Sequence, residues 1–221
     1  MSKTNMPMSL ADIDKNIFLQ RINASIGRIK FALGSYDNFK QFVRIELDSA
    51  VKEIEENSNK INFSLTEDQL TLMLLANIKN KDMGVEAYHE NNQRGHCDIT
   101  IKLNNFIWHG EAKKHSSAYS YLFKGYAQLT ERYSTGTIDS ASGGLIIYTQ
   151  NQRCNDMMSK WKTHLDKCAP RIHACKSISI APCVRNPLIF YSKHLHKVSG
   201  LPYEVIHYPV NLFHKPVDPD L

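Results

Sequence analysis

Apolar residues first recur along the chain at helical spacing. Between Ile13 and about Glu56, positions Ile22, Ile26, Ile29 and Leu33 are three or four apart, followed by Phe42, Ile45, Leu47, Val51 and Ile54. Gly34-Ser35 interrupts the pattern and predicts two helices, and the polar run EIEENSNK closes it. The segment SLTEDQLTLMLLANIKNKDMG predicts a third helix. Ser64 or Thr66 would cap it, Glu67 and Asp68 would suit the dipole of its first turn, and Leu70, Met73, Leu74 and Ile78 would form its apolar face. Lys79, Lys81 and Gly84 supply its stop signal.

Beyond Gly84 the period shortens to two. MGVEAYHE predicts a short strand, and QRGHCDITIKLNNFIWHGEAKKH predicts two strands joined at Asn104-Asn105. A helix over about Ala118–Tyr133 would carry Leu122, Tyr126, Leu129 and Tyr133 on one face. The apolar run GGLIIYTQ predicts a strand buried on both sides. CNDMMSKWKTHLDKC predicts a further helix, and SISIAPCV, LIFYSK and YEVIHYPV predict strands. The order from Glu67 onward is α-β-β-β-α-β-α-β, a mixed central sheet flanked by helices in an α/β fold. The chain divides into an N-terminal helical segment, 1–60, and a main domain, 61–221, ending in a basic lobe.

Composition adds limits to this outline. With 221 residues, 42% hydrophobic and 22% charged, the chain can bury one sizeable core. No apolar run approaches the ~20 residues that span a bilayer, so no membrane role is expected. The N-terminal MSKTNMPMSLADIDKN lacks the basic-then-apolar order of a secretory leader. Five cysteines form no CxxC pair, which fits a reduced, cytoplasmic protein with buried free thiols. Cys168, Cys175 and Cys183 match no zinc spacing. The net charge of +5 lies entirely in the last third: Met1–Gly144 carries 17 basic and 17 acidic residues, Leu145–Leu221 carries 10 and 5. Six of the ten histidines share that last third, and a basic, His-rich lobe suits a polyanionic partner.

The candidate chemistry lies in the predicted hairpin. Asn tolerates positive φ, so Asn104 and Asn105 can form a two-residue loop. Leu103 then pairs with Phe106, Asp98 falls opposite Glu111, and His96 falls opposite Lys113. One face carries His96, Asp98, Thr100 and Lys102 across from Lys113, Glu111, His109 and Ile107. The other is almost purely apolar, and a one-residue slip would scramble the separation. Two carboxylates ~5 Å apart repel by roughly 3 kcal/mol at an effective dielectric of ~20. A divalent cation with hard oxygen ligands removes that penalty. A solvent-facing hairpin whose lysines merely neutralise the acids is the plainer alternative. Three features favour the metal: the acids are paired, Gly110 and Ala112 flanking Glu111 are small, and Glu67 precedes the strands as a further oxygen donor.

The string GHCDITIKLNNFIWHGEAKKH resembles the core of the PD-(D/E)XK nuclease superfamily, the restriction-endonuclease-like fold. The resemblance covers about Leu65 to Gln150. It implies that Asp98, Glu111 and the Ala112 carbonyl bind Mg²⁺, with Mn²⁺ able to substitute, and that Lys113 positions the attacking water. It implies Glu67 as an added ligand, with Asp68 as rival. Some lineages carry a Gln followed by a Tyr on the next helix. Gln128 fits the Gln, but Tyr133 is five residues on where the pattern wants four, and Arg132 holds the expected place. Cys97 stands where a Pro often precedes the first acid.

The resemblance implies metal-dependent phosphodiester hydrolysis, with DNA endonuclease action expected ahead of RNA cleavage. By analogy it extends to bacterial or phage genome defence or restriction, gated by oligomerisation or a regulatory protein partner. The alternatives are a non-catalytic nucleic-acid-binding or assembly subunit, and an enzyme for tRNA or junction substrates. No GxxxxGK[ST] loop is present, so an internal NTPase is not expected. His96, His109 and His115 are candidates to touch a phosphate. Lys114, Lys124 and Arg132 are candidates to track a backbone, and Tyr119, Tyr121 and Tyr126 to stack on bases.

Overall fold

The computed structural model describes residues 15–61, 63–78, 84–89, 97–172 and 178–215. Helix α1 spans Ile17–Leu33 and α2 spans Tyr36–Glu56, broken where Gly34-Ser35 predicts. The Ser35 hydroxyl accepts the Asn38 amide at 3.2 Å and so caps α2. Helix α3, Glu67–Ala76, is capped by Thr66 rather than Ser64: Gln69 N–H donates to the Thr66 hydroxyl, and Thr66 N–H donates to the Gln69 side chain. That reciprocal cap sets Glu67 at the first helical position.

Among the described residues seven strands follow: β1 (Glu86–Tyr88), β2 (Ile99–Leu103), β3 (Phe106–His115), β4 (Ser142–Thr149), β5 (Ser179–Pro182), β6 (Phe190–Leu195) and β7 (Pro202–Asn211). They form one mixed sheet in the order β1-β2-β3-β4-β7-β6-β5, with β3, β4 and β7 parallel at its centre. The hairpin register runs from Leu103↔Phe106 to Ile99↔Gly110, as the alternation requires. Asn104 takes the left-handed φ of 54° that the tight turn needs.

Alternation sorts the central strands between two apolar layers. Ile146 and Tyr148 of β4, with Trp108, Ile206 and Tyr208, pack against Phe39, Phe42 and Leu47 of α2 and Leu70 and Leu74 of α3. Leu145 and Ile147, with Tyr203 and Val205, pack against α4 (Tyr119–Gln128) and α5 (Cys154–Cys168) through Leu122, Tyr126, Met157, Trp161 and Leu165. All eight residues of β4 are therefore buried. Fully burying a side chain such as Phe42 contributes ~1.5–3 kcal/mol, so α2 is held to the sheet through the same apolar layer as α3.

The C-terminal histidines sit differently from a contact surface. His194, His196 and His207 are buried. His207 Nδ1 accepts the Trp161 indole N–H at 3.1 Å and its Nε2 lies 2.9 Å from the Ser192 hydroxyl. Burial, then the neighbouring His194, pushes His207 down to about 3, so it packs as a neutral ring. Among the described residues no helix is long and apolar enough to cross a membrane.

Candidate metal centre

Strand β2 is shorter than β3, and this creates the site. Past Gly110, β3 continues beside β4 while its other edge loses the β2 ladder. Backbone N–H groups on that edge need acceptors. The Ala112 N–H donates to Asp98 Oδ2 at 2.8 Å, and the Lys114 N–H donates to Glu67 Oε1 at 2.9 Å. Two carboxylates from different elements are thereby pinned along one strand edge. Tyr121 of α4 donates its hydroxyl to the other Glu67 oxygen at 3.0 Å.

On the strand itself, Glu111 and Lys113 point to the face covered by α4. Lys113 Nζ stands 2.6 Å from Glu111 Oε1, 3.5 Å from Glu67 Oε2 and 3.8 Å from Asp98 Oδ2. It also donates to the Ala112 carbonyl at 2.9 Å. The structure thus brings Glu67, Asp98, Glu111, Ala112 and Lys113 to one point. Asp68 is turned away: its side chain is 61% exposed and lies 3.7 Å from His89.

Glu111 is the floor of the cluster. Its side chain is 2% exposed, against 20% for Asp98 and 22% for Glu67, so solvent reaches the group from the Asp98 and Glu67 side. Burial, then repulsion from Asp98, pushes the Glu111 carboxyl up to about 7 against the pull of Lys113. Burial likewise raises Asp98, opposed by the Ala112 N–H and by Lys113. Glu111 Oε2 is buried and has no hydrogen-bond partner among the described residues. A buried carboxylate oxygen without a donor is costly, and a cation is the partner such an oxygen fits.

Helix α4 closes the site from above. Gly125 lies directly on it: a Cβ there would stand 2.8 Å from Lys113 Cγ and 3.2 Å from Glu111 Cγ. Tyr121 and Gln128 flank Gly125 at helical spacing, so Gln128 shares the face that meets the cluster. The helix then passes into a π turn, Leu129–Tyr133, marked by the Ser134 N–H donating to Leu129 O. A π turn fits one extra residue into a turn, so residues five apart fall in line. Tyr133 therefore stands one turn beyond Gln128 despite the five-residue spacing. Its hydroxyl is raised by burial and by the charges of Glu111 and Asp98.

Other candidates fall elsewhere. His96 lies outside the described residues. His109 is buried on the same strand face, 3.2 Å from the Thr100 hydroxyl, and burial pushes it down to about 4. Lys114 is spent on structure, donating to the Phe63 and Leu65 carbonyls. Tyr126 is a core residue, as its apolar spacing implies. The cysteines do not form a zinc cluster among the described residues: Cys97, Cys154, Cys168 and Cys183 are free thiols, and Cys175 lies outside them. A cavity of ≈ 330 Å³ opens on the opposite face, between α2 and β7. Four of its charged residues are paired, Arg44 with Asp48 and Lys40 with Glu204, and it shares no side chain with the cluster.

Sequence reasoning missed Tyr121 as a partner of Glu67 and Gly125 as the point of contact. A glycine inside an apolar helix, three residues before Gln128, is the signal that marks the second. Among the described residues no three His, Cys, Asp or Glu side chains stand together at metal-ligand spacing. The acids are instead spread around the Lys113 ammonium. Compared with protein-family models, with curated proteins and with solved structures, the chain matches none.

Proposed function

We propose that the chain is a metal-dependent nuclease of the restriction-endonuclease-like type, hydrolysing phosphodiester bonds, with DNA as the favoured substrate. The observation that carries this reading is the unpartnered, buried Glu111 Oε2 beside Asp98, with Glu67 completing an arc of three acids around one lysine. Mg²⁺ needs only one or two carboxylates and keeps its waters, so Asp98 and Glu111, with the Ala112 carbonyl, meet its demand. When bound, such an ion lowers the pKa of water and neutralises charge on a phosphate. Glu67 braces the arc from α3, and Lys113 supplies a fixed positive charge and three donors beside it. Gln128 and Tyr121 stand at the helix face above.

The test is direct. Purified protein with Mg²⁺ or Mn²⁺ is offered linear, circular and single-stranded DNA and RNA. Cleavage that disappears in EDTA and in Glu111→Gln supports the reading. Absence of cleavage together with absence of Mn²⁺ binding overturns it.

A further inference from the structure

Strand β3 carries its polar face past the cluster. His115 lies two residues beyond Lys113 on that face, ~7 Å along the strand. It is 6% exposed. Its Nδ1 accepts from the Asn151 side-chain amide at 3.0 Å, which leaves the ring proton on Nε2. That Nε2 is buried and has no partner among the described residues.

The ring neighbours of His115 face an open concavity that His115 itself does not line. Its ring lies 4.8 Å from that of Tyr119, and Tyr119 lies 6.1 Å from His164 on α5. Tyr119, Ser159, Lys160, Thr163, His164 and Lys167 line a concavity of ≈ 400 Å³ between α4 and α5. The four α5 residues from Lys160 to Lys167 follow spacings of three, four and seven, so they share one helix face. No carboxylate lines the concavity, and Asp156, one turn before Lys160, is held by Arg153 at 3.0 Å. Cations and aromatic rings without acids are the recognition chemistry of a single nucleic-acid strand: the cations meet phosphates, and the rings stack on unpaired bases.

We propose that this groove seats a single-stranded stretch of nucleic acid next to the bond that is cut. Tyr119, whose ring packs on that of His115, stacks on a base, and Lys160 and Lys167 hold the phosphates that follow. The proposal rests on the nuclease reading for its place beside the metal site, but its test does not need cleavage.

The experiment measures anisotropy of labelled deoxythymidine and uridine oligomers of about 12 nucleotides, a length within one single-strand site. EDTA is present throughout, and a matched duplex runs alongside. Wild-type protein should bind the single strands at least tenfold more tightly than the duplex. The Lys160→Glu/Lys167→Glu protein, altered only at exposed positions, should lose at least tenfold in that binding. Its log-affinity against log-salt slope should fall by about 1.4, two phosphate contacts at ~0.7 each. Tyr119→Leu should weaken binding with the salt slope unchanged, which a loss of folding would not produce. Binding to DNA and RNA alike, or to one of them, supports the groove. Equal loss on the duplex, or unchanged single-strand binding in the double variant, overturns it. Strand binding lost in the variants, with no cleavage by wild type in Mg²⁺, keeps the groove and sinks the nuclease reading. Cleavage that is indifferent to the groove variants does the reverse.

Discussion

Lys113 Nζ and Glu111 Oε1 stand 2.6 Å apart, with side chains 8% and 2% exposed, and the second Glu111 oxygen has no partner among the described residues. The lysine therefore does for the acids what a cation would do. Removing one partner of a buried ion pair costs ~3–5 kcal/mol, because the other charge is stranded. Lys113→Met should lower the unfolding free energy in EDTA by that much, and Mn²⁺ should restore part of the loss. Denaturation with and without Mn²⁺ reads both. A midpoint indifferent to Mn²⁺ counts against the metal centre.

Asp98→Asn and Glu111→Gln keep shape and remove charge. Each should abolish Mn²⁺ binding by calorimetry and any Mg²⁺-dependent cleavage, while far-ultraviolet circular dichroism stays native. Glu111→Gln retains Asp98 and Glu67 around Lys113, so its metal-free stability should fall by no more than ~1 kcal/mol. A Glu111→Gln protein that still binds Mn²⁺ as wild type does would remove Glu111 from the ligand set.

The pH dependence has a definite sign. The Glu111 carboxyl is raised from 4.5 to about 7 by burial and by Asp98. The native state holds a proton there that the unfolded chain has released, so metal-free stability falls as pH rises through that window. Glu111→Gln should flatten the slope. Metal competes with the same proton, so Mn²⁺ affinity should climb as pH passes about 7. Titrations at pH 6 and pH 8 give the comparison, and equal affinities would contradict it.

Gly125→Ala sets two effects against each other. Alanine favours the helix by ~1 kcal/mol, whereas the new methyl would stand 2.8 Å from Lys113 Cγ. Overpacking of that kind costs ~1–3 kcal/mol. Stability should thus drop by no more than ~2 kcal/mol, while Mg²⁺-dependent cleavage drops at least tenfold because Lys113 and Glu111 are displaced. Paired melting and cleavage measurements separate the two. Unchanged cleavage would mean that α4 does not hold the site's geometry.

Much of this site is legible in the sequence because hairpin register is a local property. A two-residue Asn-Asn turn and strict alternation pair Ile99 with Gly110, where the ladder ends. Continued, that register predicts Asp98 directly opposite Glu111, but Asp98 lies past the ladder and its carboxylate takes the Ala112 N–H instead. The helix breaks at Gly34-Ser35 and at Thr66 are equally local, being matters of capping hydrogen bonds. The Gln128–Tyr133 spacing shows the limit. Read as an α-helix, five residues miss the face, and only the π turn brings them into line.

By itself, the sequence determined the elements, the hairpin register and which strand face is polar, because these depend on neighbours a few residues apart. Tertiary structure decided what those neighbours cannot. It chose Glu67 over Asp68 by pinning one carboxylate to the Lys114 N–H, and it buried His194, His196 and His207 of the charged lobe. It also drew the Lys113 ammonium in among three acids and left Glu111 Oε2 open. Each outcome depends on which distant chain arrives to satisfy a buried polar group, and a local pattern of residues carries no such term.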